Sequence, residues 1–207
     1  MRPFYSEGSK TLAFEVAEQL GWEAPDHVVV PIASGAQMVK ITKGFGELAK
    51  VGLTAHKAPR ISGAQASGCN PVANAYARGW DAVKPVRHPD TIAKSLAIGN
   101  PADGYYVLKI VRETGGGIDE ATDAEIAAGV RLLASTEGIF AETAGGVTIA
   151  VLKKLAEAGV IKRGERVVAY ITGNGLKTPQ AIAPLLGVAP VIRPTLDAFD
   201  AYLGDQA

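Results

Sequence analysis

The chain has 207 residues, 47% hydrophobic and 20% charged, with 24 glycines, a mixture that supports one ordinary core and excludes a disordered chain. Lys plus Arg and Asp plus Glu each total 21, so the formal net charge is zero and no global field draws nucleic acid or an anionic membrane. The one cysteine, Cys69, has no internal disulfide partner, no secretory pattern opens the chain, and no apolar run nears the ~20 residues that span a bilayer. A cytoplasmic protein with neither a membrane nor a nucleic-acid partner is expected.

Ser9 stands where a helix N-cap would, Ala13, Val16, Ala17 and Leu20 follow at helical spacing, and Gly21 provides a stop. Val28 to Ile32 reads as a buried strand, and Met38 to Lys50 as a helix despite Gly44 and Gly46. A shorter strand follows over Arg60 to Gln65. Asn70-Pro71 opens a helix through Val72 to Arg78 that halts at Gly79. Tyr105 to Glu113 is the next helix, ended by Thr114-Gly115-Gly116-Gly117. Thr122 and Glu125 stand three apart ahead of Ile126, Val130 and Leu133, a capping-box start to an amphipathic helix. A short strand at Ile139 to Glu142, a helix through Leu155, a strand at Val167 to Ile171 and a short terminal helix complete the order. Lys153-Lys154 and Lys162-Arg163 flank a helix end and read as a solvated face.

Alternating strands and helices predict an α/β fold with a mostly parallel sheet covered by helices on both faces and ligands at the carboxyl ends of the strands. One such end is Val30-Pro31-Ile32-Ala33-Ser34-Gly35-Ala36-Gln37, where a buried run breaks into small residues and then a helix. Backbone N–H groups at such a turn, with the positive end of the helix, suit a phosphate monoester, although tight turns of small residues also occur for structural reasons alone. A second end is Tyr170-Ile171-Thr172-Gly173-Asn174-Gly175-Leu176-Lys177, which brings a hydroxyl and two glycines.

These two blocks, with Glu7-Gly8-Ser9-Lys10-Thr11-Leu12-Ala13-Phe14-Glu15, Ala97-Ile98-Gly99-Asn100-Pro101 and Glu137-Gly138-Ile139-Phe140-Ala141-Glu142-Thr143-Ala144, closely resemble the threonine synthases over nearly the whole chain. The resemblance implies a pyridoxal-phosphate enzyme of the tryptophan-synthase-β-like fold (fold type II), of which residues 1–207 would be the C-terminal portion of the cofactor-binding domain. The Schiff-base lysine of the family lies in a segment resembling Ser-Phe-Lys-Asp, and no such segment occurs here. The resemblance therefore implies a missing N-terminal half as partner, an isolated chain without activity, and O-phosphohomoserine as substrate of the whole enzyme. Rival expectations are a threonine or serine dehydratase of the same fold and a non-catalytic truncated or split fragment, with exposed sheet edge and apolar faces that favour oligomers.

By the same resemblance Ala33, Ser34, Gly35, Ala36 and Gln37 would hold the cofactor phosphate through backbone amides and the side chains of Ser34 and Gln37. The family has more glycine and asparagine in this turn. Thr172 would face the pyridine nitrogen and, as a neutral partner, leave it largely unprotonated. In an unknown protein the same threonine would be read as bonding nearby backbone. Asn100 and Glu142 are candidate pocket residues without an assigned proton, and Glu142 reads equally as a strand-end carboxylate. Lys177 is not read as the Schiff-base lysine, being the lysine of the Gly-Leu-Lys motif. His27, His56 and His88 lack metal-ligand spacing and read as loop or surface residues, and Cys69 sits in a turn with no paired base, so neither a metal centre nor a thiol nucleophile is expected.

Overall fold

A computed structural model describes residues 3–54, 58–185 and 190–204. Its centre is a four-stranded parallel sheet of β1 (His27–Pro31), β2 (Arg60–Ala66), β3 (Ile118–Ala121) and β4 (Val167–Ala169), in the order β3-β2-β1-β4. Register sets Val28 beside Ile61 and Val168, and Val29 beside Ser62 and Ala169. Side chains alternate across a strand. Val28 and Val30 accordingly enter one core, and Val29 enters the other.

The first core is built by α2 (Thr11–Gln19), α3 (Ala36–Lys50), α4 (Pro71–Ala77) and α5 (Gly104–Thr114), after a short α1 (Pro3–Gly8). In α3, Met38, Ile41, Phe45 and Leu48 recur at helical spacing and are all buried. The opposite core receives α6 (Asp123–Glu137) and α7 (Thr143–Glu157) through Ile126, Val147, Val151 and Leu155. Both faces of the sheet are thus covered, as the all-parallel pattern requires. A terminal helix α8 (Leu196–Gly204) contributes no buried residue.

The capping box forms as expected: the Thr122 hydroxyl accepts from the Glu125 N–H at 3.3 Å, and the Glu125 carboxylate accepts from the Thr122 N–H at 2.8 Å. Lys154 also bonds this carboxylate, and with the Thr122 N–H it lowers the Glu125 pKa to about 2.

Three local expectations are corrected. Ser9 does not cap the first long helix; Lys10 precedes it in helical conformation, and the Thr11 hydroxyl donates to the Gly8 carbonyl at 2.8 Å. Ile139 to Glu142 is not a strand: Gly138 ends α6 at φ +69°, α7 starts at Thr143, and between them only Ala141 forms a bridge, antiparallel to Asn174. The unforeseen strand is β3, paired with the last residues of β2. Elsewhere the shifts are small, with β1 starting one residue early and β4 ending at Ala169, although the Tyr170 N–H still donates to Val29. His56 lies outside the described residues.

Candidate functional site

Strand order decides where a ligand can sit. From β1 the chain steps outward to β2 and β3, then returns to the other side of β1 as β4, so the topological switch lies between β1 and β4. In open α/β sheets the crevice forms at the carboxyl ends of the strands flanking such a switch. A cleft of about 450 Å³ occupies this position, a size within the range of small-molecule sites.

One wall is the turn after β1. Ala33, Ser34, Gly35, Ala36 and Gln37 all line the cleft, and Gly35 stands immediately before α3 in left-handed conformation, φ +93°. The first N–H groups of a helix have no intrahelical acceptor and carry its partial positive charge. The Ala36 N–H leans on the Ser34 hydroxyl at 3.4 Å. The turn is braced from behind by the start of α5: the Asp103 N–H donates to the Ser34 carbonyl at 2.9 Å, and a Cβ on Gly35 would lie 2.7 Å from Val107 Cγ2.

Facing it is the turn after β4, where Tyr170, Ile171 and Thr172 line the cleft. The Tyr170 phenol donates to the Leu12 carbonyl at 3.0 Å, and burial pushes its pKa above the ordinary phenol range. Behind Thr172 lies Glu142, 5% exposed, whose Oε1 accepts the Thr172 hydroxyl at 3.4 Å and whose Oε2 is 3.5 Å from Lys177 Nζ. The Glu142 N–H donates to the Gly173 carbonyl at 2.9 Å, and a Cβ at Gly173 would fall inside the Glu142 carboxylate. Glycine is needed at 173 for this close approach.

Seven of the eight residues singled out in the sequence therefore line one cleft: Ala33 to Gln37, Glu142 and Thr172. Asn100 does not; it is exposed and outside the lining. Its neighbour Pro101 instead leads into α5, with the Gly104 N–H donating to the Pro101 carbonyl at 3.2 Å. Ser9, Leu12, Ser95 and Leu96 also line it and were not foreseen. Ser9 carried a signal, but as a helix cap; Ser95 carried none.

The remaining candidates stay away from the cleft. Buried Cys69 has its pKa raised by burial, which disfavours the thiolate. His27, expected in a loop or at the surface, is instead fully buried at the start of β1, its Nε2 sharing a 2.6 Å hydrogen bond with Ser62 Oγ. Among the described residues no group of three or more His, Cys, Asp or Glu is arranged to hold a metal ion, and no helix is long and apolar enough to cross a membrane.

A family model described as "Pyridoxal-phosphate dependent enzyme" matches residues 1–173, and the chain belongs to that family. Within it, the chain is similar to threonine synthases. It is 41% identical to that of Methanocaldococcus jannaschii over 181 residues, covering 87% of this chain and 44% of the relative. It is 38% identical to that of Methanosarcina acetivorans over 199 residues, covering 96% and 49%. The chain spans about half the length of the curated relatives it matches. The fold is the tryptophan-synthase-β-like, type II fold of these enzymes. A fungal L-serine ammonia-lyase from Rhizomucor miehei superposes with TM-score 0.70 at 18% identity, over 87% of this chain and 56% of its own. A threonine deaminase from Solanum lycopersicum superposes with TM-score 0.67 at 19% identity, over 90% and 51%.

Proposed function

We propose that this chain is the C-terminal, cofactor-holding portion of a threonine synthase, which converts O-phosphohomoserine and water into threonine and phosphate. The observation that carries the reading is the convergence of the Ala33–Gln37 turn and Thr172 on one cleft, at the switch between β1 and β4. The donor set suits the cofactor: helix-terminal N–H groups, a hydroxyl and an amide for a phosphate at one end, a hydroxyl for a heterocyclic nitrogen at the other. Bound there, pyridoxal phosphate supplies an electron sink for removal of protons from carbon.

The chain's own residues bind and orient. Amides at 35–37, with Ser34 and Gln37, fix the phosphate end, and Thr172 fixes the ring edge. Their rigid elements, α3 braced by α5 and β4 beside β1, hold those two ends at a set separation. The lysine that carries the cofactor, and most contacts to the substrate phosphate, belong in this reading to the missing N-terminal half. The enzyme is accordingly a cytoplasmic lyase of threonine biosynthesis, and the isolated chain is inactive.

The test combines binding and turnover. The folded chain should bind pyridoxal phosphate at the cleft, with the amide resonances of 33–37 perturbed, and should release no phosphate from O-phosphohomoserine. Phosphate release abolished by Thr172→Ala would keep the synthase reading and overturn the half-site one. Oxoacid formation from threonine or serine would favour a dehydratase, and absence of binding would favour a non-catalytic fragment.

A further inference from the structure

The block Glu7 to Leu12 has no part in the binding described so far, yet Ser9 and Leu12 line the cleft together with the turns after β1 and β4. It is tied to the elements behind both turns. At one end the Lys10 ammonium lies 2.7 Å from Glu47 Oε2, on α3, and 2.7 Å from Glu7 Oε2. Glu7 in turn holds two further side chains of α3, Lys43 at 2.9 and 3.0 Å and Lys40 at 3.4 Å. At the other end the Leu12 carbonyl accepts the Tyr170 phenol at 3.0 Å. We propose that residues 7–12 form a strap that sets the separation between the Ala33–Gln37 turn and the β4 turn, with Lys10 as its positioning residue. The inference rests on the cofactor reading of the cleft, in which one ligand reaches both turns.

The strap is short and internally braced. The Lys10 N–H donates to the Glu7 carbonyl at 3.1 Å and the Thr11 hydroxyl to the Gly8 carbonyl at 2.8 Å, so a displacement of Lys10 is passed on to Ser9 and Leu12. It is also pressed against α3: a Cβ on Gly44 would lie 2.8 Å from Ala13 Cβ and 3.1 Å from the Lys10 carbonyl oxygen. The Lys10 side chain is 16% exposed against 44% for Lys43, so solvent screens its two ion pairs less than it screens an ordinary surface bridge. Lys10, and after it Lys43, hold the Glu7 pKa at about 2, so the cluster keeps its charges at neutral pH. A ligand that touches one turn alone is indifferent to the separation of the walls; one that spans both is sensitive to small changes in it.

Two probes separate these cases. Inorganic phosphate fills the Ala33–Gln37 turn alone. Pyridoxine 5′-phosphate carries its phosphate on a ring that reaches Thr172 and, lacking the aldehyde, does not react with lysines. Affinities for both, read from the amide resonances of 33–37, are compared between the folded wild-type chain and the variants Lys10→Met and Tyr170→Phe, which release the two ends of the strap in turn. Each variant should weaken pyridoxine 5′-phosphate about tenfold and leave inorganic phosphate within about twofold, the loss of one anchoring bond being felt only by the spanning ligand. Releasing one end already frees the strap, so the double variant should lose little more than either single one. Lys10→Arg keeps the charge and should recover most of the affinity that K10M loses.

Equal weakening of both ligands marks general structural damage and overturns the inference, as does unchanged affinity for pyridoxine 5′-phosphate in either variant; both results leave the cofactor reading standing. If K10M does not fold, the same comparison of the two ligands in Tyr170→Phe decides it. Failure of the folded wild-type chain to bind pyridoxine 5′-phosphate overturns the cofactor reading and the inference together.

Discussion

Gly35→Ala tests whether the proposed anion turn is held by α5. Gly35 adopts φ +93°, and an added Cβ would meet Val107 Cγ2 at 2.7 Å and Asp103 Cβ at 3.1 Å. Left-handed backbone costs an L-residue about 1–2 kcal/mol. Forcing a methyl into packed surroundings adds about 1–3 kcal/mol, because Val107 is fully buried and cannot swing away. The total of about 2–5 kcal/mol is a large share of a typical domain stability, and at ~2–4 °C per kcal/mol for a chain of this size it lowers Tm by roughly 4–20 °C. Gly164→Ala is the control: φ is +87° there, but nothing lies within 4 Å of the new Cβ, so only the backbone cost of about 1–2 kcal/mol applies. Calorimetry or urea denaturation of both variants isolates the packing contribution. Val107→Ala should restore part of the loss in G35A, since the two side chains would compete for one space. Equal losses in G35A and G164A, or strict additivity with V107A, would refute the bracing of the turn by α5.

Gly173→Ala should displace the Glu142 carboxylate and lower stability by about 1–3 kcal/mol in urea denaturation, with Glu142→Ala in the same chain relieving much of it. Thr122→Ala removes the side-chain half of the capping box and should cost about 1 kcal/mol, read as a lower Tm with the cleft and its ligand affinity unchanged. Burial, and after it the Arg60 guanidinium, lowers the pKa of His27 below its ordinary value, while Glu165 opposes the shift. Below about pH 6.5 the unfolded chain therefore takes up a proton that the folded chain refuses. Stability is unaffected by this group above that pH and declines as pH falls through it; His27→Gln should flatten that part of the stability–pH curve, and an unchanged curve would exclude His27 as its source.

The elements that sequence predicts best are those whose signals are local. The Val28–Val30 run is buried on both faces and reads as a strand in any register, and Thr122 with Glu125 marks a helix start by itself. The segment Ile118-Asp119-Glu120-Ala121 carries no such signal, because its centre is acidic. It is a strand because β2 lies beside it, and its polar residues are used elsewhere, Glu120 by the Asn70 amide and the Glu120 carbonyl by Lys154 at 2.8 Å. Ile139-Phe140 misleads in the opposite sense: the residues favour a strand, but the chain has no ladder to join between the end of α6 and the start of α7.

For the cleft, sequence motifs supply the two turns but not their adjacency. The Ala33–Gln37 turn and Thr172 are far apart in the chain, and nothing local says that β4 returns to the side of β1 that β2 left free. The contribution of Glu142 depends equally on tertiary placement, since Gly173 reads locally as a turn glycine while its space is filled by a carboxylate from another segment. The motif around Asn100 makes the same point from the other side. In sequence it belongs with the pocket; in space Asn100 faces solvent, and Pro101 and Asp103 deliver α5 against the back of Gly35. A substitution in that motif should therefore reach the cleft through the geometry of the 34–35 turn, weakening the proposed phosphate binding without removing any group assigned to the ligand.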